Sequence, residues 1–93
     1  MAKVILKGHI IVPFSELEVI LEELNKHIQL TKLEDDCLVF NVKQRPENSC
    51  YFDVYEEFTD QPAFEYHQQR VKQSTWGRIS QNVERHYQTI IQS

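Results

Sequence analysis

Hydrophobic and polar residues alternate along four segments of the chain, which is the pattern of β-strands that bury one face. The first segment covers residues 3–12, and Pro13 ends it because proline cannot donate to a strand ladder. Residues 37–44 and 50–58 are rich in valine, phenylalanine and tyrosine, with a short Arg-Pro-Glu-Asn-Ser turn between them. These two segments are predicted to form a hairpin, and residues 83–91 are predicted to form the closing strand.

Between the first strand and the hairpin, apolar residues recur at the spacing of an amphipathic helix. Its inward stripe consists of Leu17, Ile20, Leu21, Leu24 and Ile28. Ser15 and Glu18 have the spacing of a capping box, in which each side chain accepts a hydrogen bond from the backbone N–H of the other. The helix is therefore expected to begin at Ser15 and to end near residues 30–33.

A second helix is predicted to begin at the Thr-Asp-Gln-Pro segment, residues 59–62, because threonine and aspartate cap helices and proline fits the first turn. Ala63, His67 and Val71 follow at four-residue intervals, which puts His67 on the inward stripe. Ser74 is expected to cap a short third helical piece.

The order of these elements is β-α-β-β-α-β, the split βαβ arrangement of a ferredoxin-like α+β sandwich. Two helices would cover one face of a four-stranded antiparallel sheet, and the 93 residues would form one domain, residues 1–93. The other face would carry a mixture of apolar, aromatic and polar side chains: Ile5, His9, Ile11, Val39, Asn41, Tyr51, Asp53 and Tyr55. The simplest account of it is a homodimer with two sheets packed face to face; the alternative is a hydrated face with scattered aromatic residues.

Composition and charge argue against several classes of function. A net charge of −4 without a basic stripe disfavours nucleic-acid binding. No segment approaches the roughly 20 apolar residues of a membrane-spanning helix. The first residues lack the apolar run of a signal peptide, so a cytoplasmic location is expected. With two glycines, the chain offers no glycine-rich loop for a dinucleotide cofactor.

The two cysteines, Cys37 and Cys50, fall near opposite ends of the predicted hairpin, about six residues or roughly 20 Å apart. A disulfide needs Cα atoms within about 7 Å, so both thiols are expected to be reduced. Neither cysteine has further ligands at the spacing of a metal site, and no metal is predicted.

One side chain does not suit the inward face of the hairpin. That face is predicted to carry five apolar residues and one carboxylate: Leu38, Phe40, Val42, Phe52, Val54 and Glu56. The expected pairs across the hairpin are Phe52 with Val42, Val54 with Phe40, and Glu56 with Leu38. A carboxylate buried there must be paired, hydrogen-bonded or protonated, and its nearest predicted partner is His67. Glu56 could orient His67 as a general base, or the two could form a structural hydrogen bond that fastens the helix to the strand.

Aromatic residues accompany this predicted pair in the second half of the chain. Phe64, Tyr66, Trp76 and Tyr87 would suit the walls of a pocket for a flat aromatic ligand. The same residues at the same spacing are also typical of an ordinary hydrophobic core.

Several of these segments resemble the antibiotic biosynthesis monooxygenase domain family. The resemblance lies in residues 31–42, in residues 52–58, and in Ala63-Phe64 followed by His67. The later Ser-Thr-Trp-Gly and Arg-His-Tyr segments, which begin at positions 74 and 85, resemble its quinol monooxygenase branch. The family usually has Pro-Gly before the cysteine, where this chain has Asp35-Asp36.

The resemblance implies a dimeric α+β barrel with a pocket in each protomer between the helices and the sheet. It also implies a monooxygenase that oxidises a small quinol- or phenol-like aromatic with O₂, without flavin, metal or haem. In that chemistry a base removes the phenolic proton, and the electron-rich anion reacts with O₂. Carried to this chain, the catalytic residues are His67 and Glu56. The implied substrate-binding residues are Phe40, Phe52, Phe64, Trp76 and Tyr87.

Other functions are open on the same fold, because fold does not decide chemistry. One alternative is a non-catalytic dimer that binds a small molecule or serves a stress response. Another is an isomerase that uses the same acid–base pair without O₂. Haem degradation is the least favoured, since His67 stands where haem-degrading relatives tend to carry an aromatic residue.

Overall fold

A computed structural model describes residues 2–92 as four strands and three α-helices. The elements are β1 (Lys3–Ile11), α1 (Leu17–Lys32), β2 (Cys37–Arg45), β3 (Asn48–Phe58), α2 (Gln61–Gln73), α3 (Thr75–Ile79) and β4 (Glu84–Gln92). The strands form one antiparallel sheet in the order β2-β3-β1-β4. This confirms the predicted ferredoxin-like α+β fold.

The core lies between one face of the sheet and the helices, because alternate residues of β1 and β3 point to that face. Its larger cluster consists of Leu6, Ile10, Val12, Ile20, Leu24, Phe52, Val54, Trp76 and Val83. A smaller cluster of Val4, Phe58 and Ala63 lies under the start of α2. No helix in the described part of the chain is both long enough and apolar enough to cross a membrane.

The first helix begins later than predicted. Phe14–Glu16 form a 3₁₀ turn, and α1 begins only at Leu17. The backbone N–H of Glu16 donates to the carbonyl of Pro13 at 2.9 Å, so the turn satisfies a group that a cap would otherwise serve. No side-chain hydrogen bond caps α1, and the predicted capping box of Ser15 and Glu18 is therefore wrong.

The two later helices begin as predicted. Asp60 Oδ1 accepts a hydrogen bond from the backbone N–H of Ala63 at 2.9 Å, which caps α2. Ser74 Oγ accepts from the N–H of Gly77 at 3.2 Å, which caps α3. Both caps were visible in the sequence because they depend only on residues within one turn.

The hairpin register differs from the prediction by two residues. Phe40 pairs with Glu56 and Val42 with Val54, because the chain reverses between Arg45 and Asn48 rather than over five residues. A shift of two residues preserves the face to which each side chain points, so Glu56 remains on the inward face.

Leu38 is the exception to this preserved pattern. The ladder between β2 and β3 is irregular between Cys37 and Val39, and Leu38 falls in that β-bulge. Its side chain is 52% exposed. The predictions that Leu38 lies on the inward face and pairs with Glu56 are wrong.

The connection from α1 to β2 is a tight turn through Glu34, Asp35 and Asp36. The backbone N–H of Cys37 donates to the carbonyl of Glu34 at 3.1 Å and closes it. No non-glycine residue between positions 2 and 92 has a positive φ, so Asp35-Asp36 forms this turn without the left-handed conformation. Cys37 and Cys50 are both free thiols.

We expect Phe52→Ala to lower the free energy of unfolding by about 3–5 kcal/mol, because Phe52 is 2% exposed and truncation leaves a cavity. Leu38→Ala is the matched control, since Leu38 is half exposed at the bulge and its loss should cost less than about 0.5 kcal/mol. Urea unfolding followed by circular dichroism measures both values. Equal losses in the two variants would contradict the described register.

Candidate active site

His67 lies on the inward face of α2 and is 3% exposed. Its ring packs against Phe58 on β3, with centroids 5.0 Å apart, and against Phe40 on β2, with centroids 5.9 Å apart. The four-residue spacing of Ala63 and His67 produces this position, as the sequence predicted.

Glu56 lies beneath His67 on the inward face of β3 and is 6% exposed. On either side of it in the sheet are Leu6 of β1 and Phe40 of β2. Glu56 Oε1 is 3.8 Å from His67 Nε2, which is close but longer than a hydrogen bond. The structure therefore brings the two predicted residues together without a direct hydrogen bond between them.

A second carboxylate, which sequence analysis did not single out, contacts the other nitrogen of His67. Glu34, in the turn after α1, has its Oε2 atom 3.0 Å from His67 Nδ1. Arg70, one turn beyond His67 on α2, donates from Nε to the same oxygen at 2.9 Å. Arg70 Nη2 also donates to Thr31 Oγ1 at 3.0 Å. The only sequence signal for this network is the three-residue spacing of His67 and Arg70, which places two donors on one helix face.

An open cleft of about 640 Å³ lies beside this network, between the end of α1, the start of β2 and the first turns of α2. Its apolar walls include Leu30, Leu33, Phe58, Pro62, Ala63 and Tyr66. Its polar lining includes Glu34, Arg70 and three aspartates, Asp35, Asp36 and Asp60. His67 does not line the cleft; it contacts the Glu34 carboxylate that does.

Solved structures with the same architecture are known. One from Nitrosomonas europaea, named as a proposed antibiotic biosynthesis monooxygenase, aligns with a TM-score of 0.77 at 15% identity, over 97% of this chain and 86% of that chain. A similarly named protein from Deinococcus radiodurans aligns with a TM-score of 0.71 at 18% identity, over 100% of this chain and 91% of that chain. This chain has the antibiotic biosynthesis monooxygenase fold.

A third structure with this fold is a Bacteroides thetaiotaomicron protein of unknown function whose name suggests an oxidoreductase. It aligns with a TM-score of 0.77 at 13% identity, over 97% of both chains. No family model and no curated protein matches the sequence itself. The antibiotic biosynthesis monooxygenase fold implied by the sequence resemblance is thus confirmed at the level of fold, and the quinol monooxygenase branch stays a prediction.

Within this fold, burial sets the protonation of the central residues. Burial, and secondarily the negative charge of Glu34, raises the pKa of Glu56 from 4.5 to about 8. Burial lowers the pKa of His67, although its hydrogen bond to Glu34 acts in the opposite direction. At neutral pH the Glu56 carboxyl is mostly protonated and the His67 ring is neutral. The tautomer that fits this network donates Nδ1–H to Glu34 and turns the Nε2 lone pair towards Glu56.

None of the five predicted substrate-binding residues is among those that line the cleft. Phe40, Phe52 and Trp76 are at most 7% exposed and contribute to the packed interior. Phe64 packs edge-on against Phe58, with ring centroids 5.4 Å apart, and Tyr87 is 40% exposed on β4. Whether any of the five contacts substrate stays a prediction.

Trp76 has a partner that sequence analysis did not associate with the site. His27 of α1 is 6% exposed and stacks on Trp76, with ring centroids 5.2 Å apart and planes at 12°. Its ring centroid is 6.0 Å from that of His67. Burial lowers the pKa of His27 to about 3, so this ring is neutral at physiological pH. His27 belongs with the aromatic packing around His67 rather than with the charged network.

We expect stability to fall between about pH 6.5 and pH 8 because of Glu56. Between its ordinary pKa of 4.5 and about 8, Glu56 holds a proton only in the folded chain. The free energy of unfolding then decreases with rising pH by up to about 1.4 kcal/mol per unit. His67 acts in the opposite sense, because its lowered pKa leaves the unfolded chain with more protons, but that contribution ends near its ordinary pKa of 6.5.

Urea unfolding of the wild type and of Glu56→Gln at several pH values measures this slope. Glu56→Gln should flatten the decrease between pH 6.5 and 8, because the amide does not titrate. Glu65→Gln, an acid-to-amide change on the exposed face of α2, is the control and should keep the wild-type slope. Identical slopes in the wild type and Glu56→Gln would show that Glu56 is ionised in the folded chain.

Proposed function

We propose that the chain is a cofactor-independent monooxygenase that oxidises a small quinol- or phenol-like aromatic with O₂. The observation that carries the proposal is a buried imidazole between two carboxyl groups, Glu34 and Glu56, beside an open cleft. These three side chains together can accept one proton, either on the His67 ring or on Glu34. The similarly folded proteins named as monooxygenases support the same reaction class.

The reaction makes three demands on the protein. A proton must leave the substrate hydroxyl, the resulting anion must be stabilised, and water must be kept from the reacting carbon. The anion then adds O₂; one oxygen atom stays on the ring and the other leaves as water. A hydroquinol and O₂ thus give a hydroxyquinone and water, and the four electrons that reduce O₂ come from the substrate.

In this proposal His67 is the central member of the three proton-accepting side chains, between Glu34 and Glu56. Glu34 fixes the ring orientation through Nδ1, the role that the sequence assigned to Glu56. Glu56, with its raised pKa, serves as a store of one proton next to Nε2. Its contact of 3.8 Å must shorten for direct transfer, as catalytic hydrogen bonds often do when substrate binds.

Measurements of O₂ consumption with a panel of hydroquinols test the proposal. We expect O₂ consumption above that of boiled protein. The rate should decrease about 10²–10⁴-fold in His67→Ala, because the imidazole between the two carboxyl groups is lost. Gln69→Ala, on the exposed face of the same helix, is the matched control and should keep the wild-type rate. No consumption with any hydroquinol, or equal rates in the wild type and His67→Ala, would reject the proposal.

A second candidate is a binding protein without chemistry. It is favoured by the packing of Phe40, Phe52 and Trp76 into the interior, which leaves a ligand to bind in a cleft at the surface. It predicts that a phenol raises the melting temperature without being converted. An isomerase of the same fold predicts conversion under anaerobic conditions, which a strict requirement for O₂ excludes.

We also propose a homodimer that packs through the outer face of the sheet. On that face His9 stacks between Tyr51 and His86, with ring centroids at 5.8 and 4.8 Å. Arg45 lies 5.0 Å over the Tyr51 ring and forms a salt bridge to Asp53 at 2.8 Å. These flat, ordered aromatic groups form a surface that a second copy could cover, and two-fold symmetry brings each group against its counterpart.

We expect sedimentation equilibrium to give a dimer for the wild type and a monomer for Ile5→Asp, because Ile5 lies on this face and a buried, unpaired carboxylate opposes association. Val19→Asp introduces the same charge at an exposed position of α1 and should remain dimeric. A wild-type monomer, or an Ile5→Asp dimer, would contradict this interface.

A further inference from the structure

The cleft and the proposed base do not meet directly. The His67 side chain is 4% exposed, whereas those of Glu34 and Arg70 are 13% and 23% exposed and line the cleft. A ligand in the cleft therefore meets the Glu34–Arg70 pair before it can reach His67. The chemistry of this pair decides which ligands can bind and in which ionisation state.

The two oxygens of Glu34 have different surroundings. Oε2 is engaged by His67 Nδ1 at 3.0 Å and by Arg70 Nε and Nη2 at 2.9 and 2.8 Å. Oε1 takes part in no hydrogen bond with residues 2–92. Among those residues, the one buried side-chain polar atom without a partner is His27 Nδ1, so Oε1 must be accessible rather than buried. Glu34 therefore lines the cleft with one carboxylate oxygen that no residue between positions 2 and 92 engages.

We infer that Glu34 and Arg70 are the residues that contact the substrate hydroxyl: Glu34 Oε1 accepts its proton, and Arg70 holds the oxyanion that remains. The inference rests on the proposed function, since it names the substrate group that this site recognises. The O–H bond breaks, its proton forms the neutral acid of Glu34, and the electron pair stays on the substrate oxygen. No electrons are transferred in this step.

This proton transfer is favoured because the positive charge of Arg70 keeps a negative partner throughout. Before it, the guanidinium of Arg70 is balanced by the Glu34 carboxylate; after it, the same guanidinium is balanced by the phenolate. No unpaired charge arises in a partly buried site, which would otherwise be costly. Arg70 needs little movement, because Thr31 Oγ1 holds its Nη2 atom at 3.0 Å and Thr31 is itself fully buried.

The cleft rim also restricts the ligand class. Asp35, Asp36 and Asp60 line the same cleft, and their carboxylates repel a ligand that arrives as an anion. The site therefore suits a neutral hydroxyaromatic that ionises only after it has bound. Aromatics with a carboxylate or phosphate group should bind more weakly than uncharged phenols of the same size.

Binding of 4-nitrophenol tests the exchange without any turnover, because the anion of this dye absorbs visible light and the neutral form does not. Below the pKa of the free dye, we expect the wild type to bind it with appearance of the anion band. Its affinity should be nearly independent of pH, because Glu34 keeps the proton. Glu34→Gln cannot keep it, so the dye must release its proton to solvent and affinity should rise about tenfold per pH unit.

Three further variants separate the role of Arg70 from that of Glu34 and provide a control. Arg70→Gln should bind the dye in its neutral form, and Arg70→Lys, which keeps the charge, should restore the anion band. Glu23→Gln is the matched control, because Glu23 is also ion-paired, to Lys26 at 3.8 Å, and lies outside the cleft. Melting curves identify any variant that fails to fold.

The outcomes distinguish this inference from the proposed function. A neutral dye bound to the wild type, or a Glu34→Gln affinity as independent of pH as that of Glu23→Gln, would overturn the inference even if the protein consumes O₂. The expected dye behaviour without O₂ consumption by any hydroquinol would reject the monooxygenase and leave the hydroxyl-binding pair supported.

Discussion

The burial of Glu56 on an apolar sheet face is the constraint to which the rest of the site responds. A carboxyl group that is 6% exposed loses most of its hydration, so it either keeps a proton or needs a cation nearby. The His67 ring lies 3.8 Å from the Glu56 carboxyl group, but burial also disfavours the charged form of that ring. Glu34 affects both groups, because its negative charge adds to the raised pKa of Glu56 and its hydrogen bond opposes the lowered pKa of His67. Glu34 and Arg70 extend these contacts from the sheet to the surface of the cleft.

The same contacts hold the fold together and form the candidate site. Polar contacts connect the end of α1 to the middle of α2 beside the open cleft. They are made by Thr31, Glu34, His67 and Arg70. The interior between helices and sheet is occupied by Phe52, Trp76 and their neighbours. The cleft therefore lies at the end of the helix pair, where carboxylates and a guanidinium line it, and not at the centre of the sheet.

The fold by itself leaves the chemistry open, because the three structures described above share only 13–18% identity with this chain. The chemical groups at the candidate site narrow the range of reactions that it suits. Two carboxyl groups and an imidazole can move protons, and a guanidinium can stabilise an anion. Reactions that begin with removal of a proton from a hydroxyl group fit this set, and oxidation of a phenol by O₂ begins in that way.

The sequence by itself determined the order of the elements, the inward position of His67 and the misplaced carboxylate at Glu56. These features follow from periods of two and about four residues and from caps within one turn, which are local properties. Even a register error of two residues left the faces of the hairpin correct, because side chains alternate with a period of two. Local pattern failed at Ser15, where a 3₁₀ turn replaced the cap, and at Leu38, where a bulge moved the side chain outward. Only the tertiary structure decided that Glu34 meets His67 and Arg70, which lie 33 and 36 residues further along the chain, because that contact depends on how the ends of two helices pack.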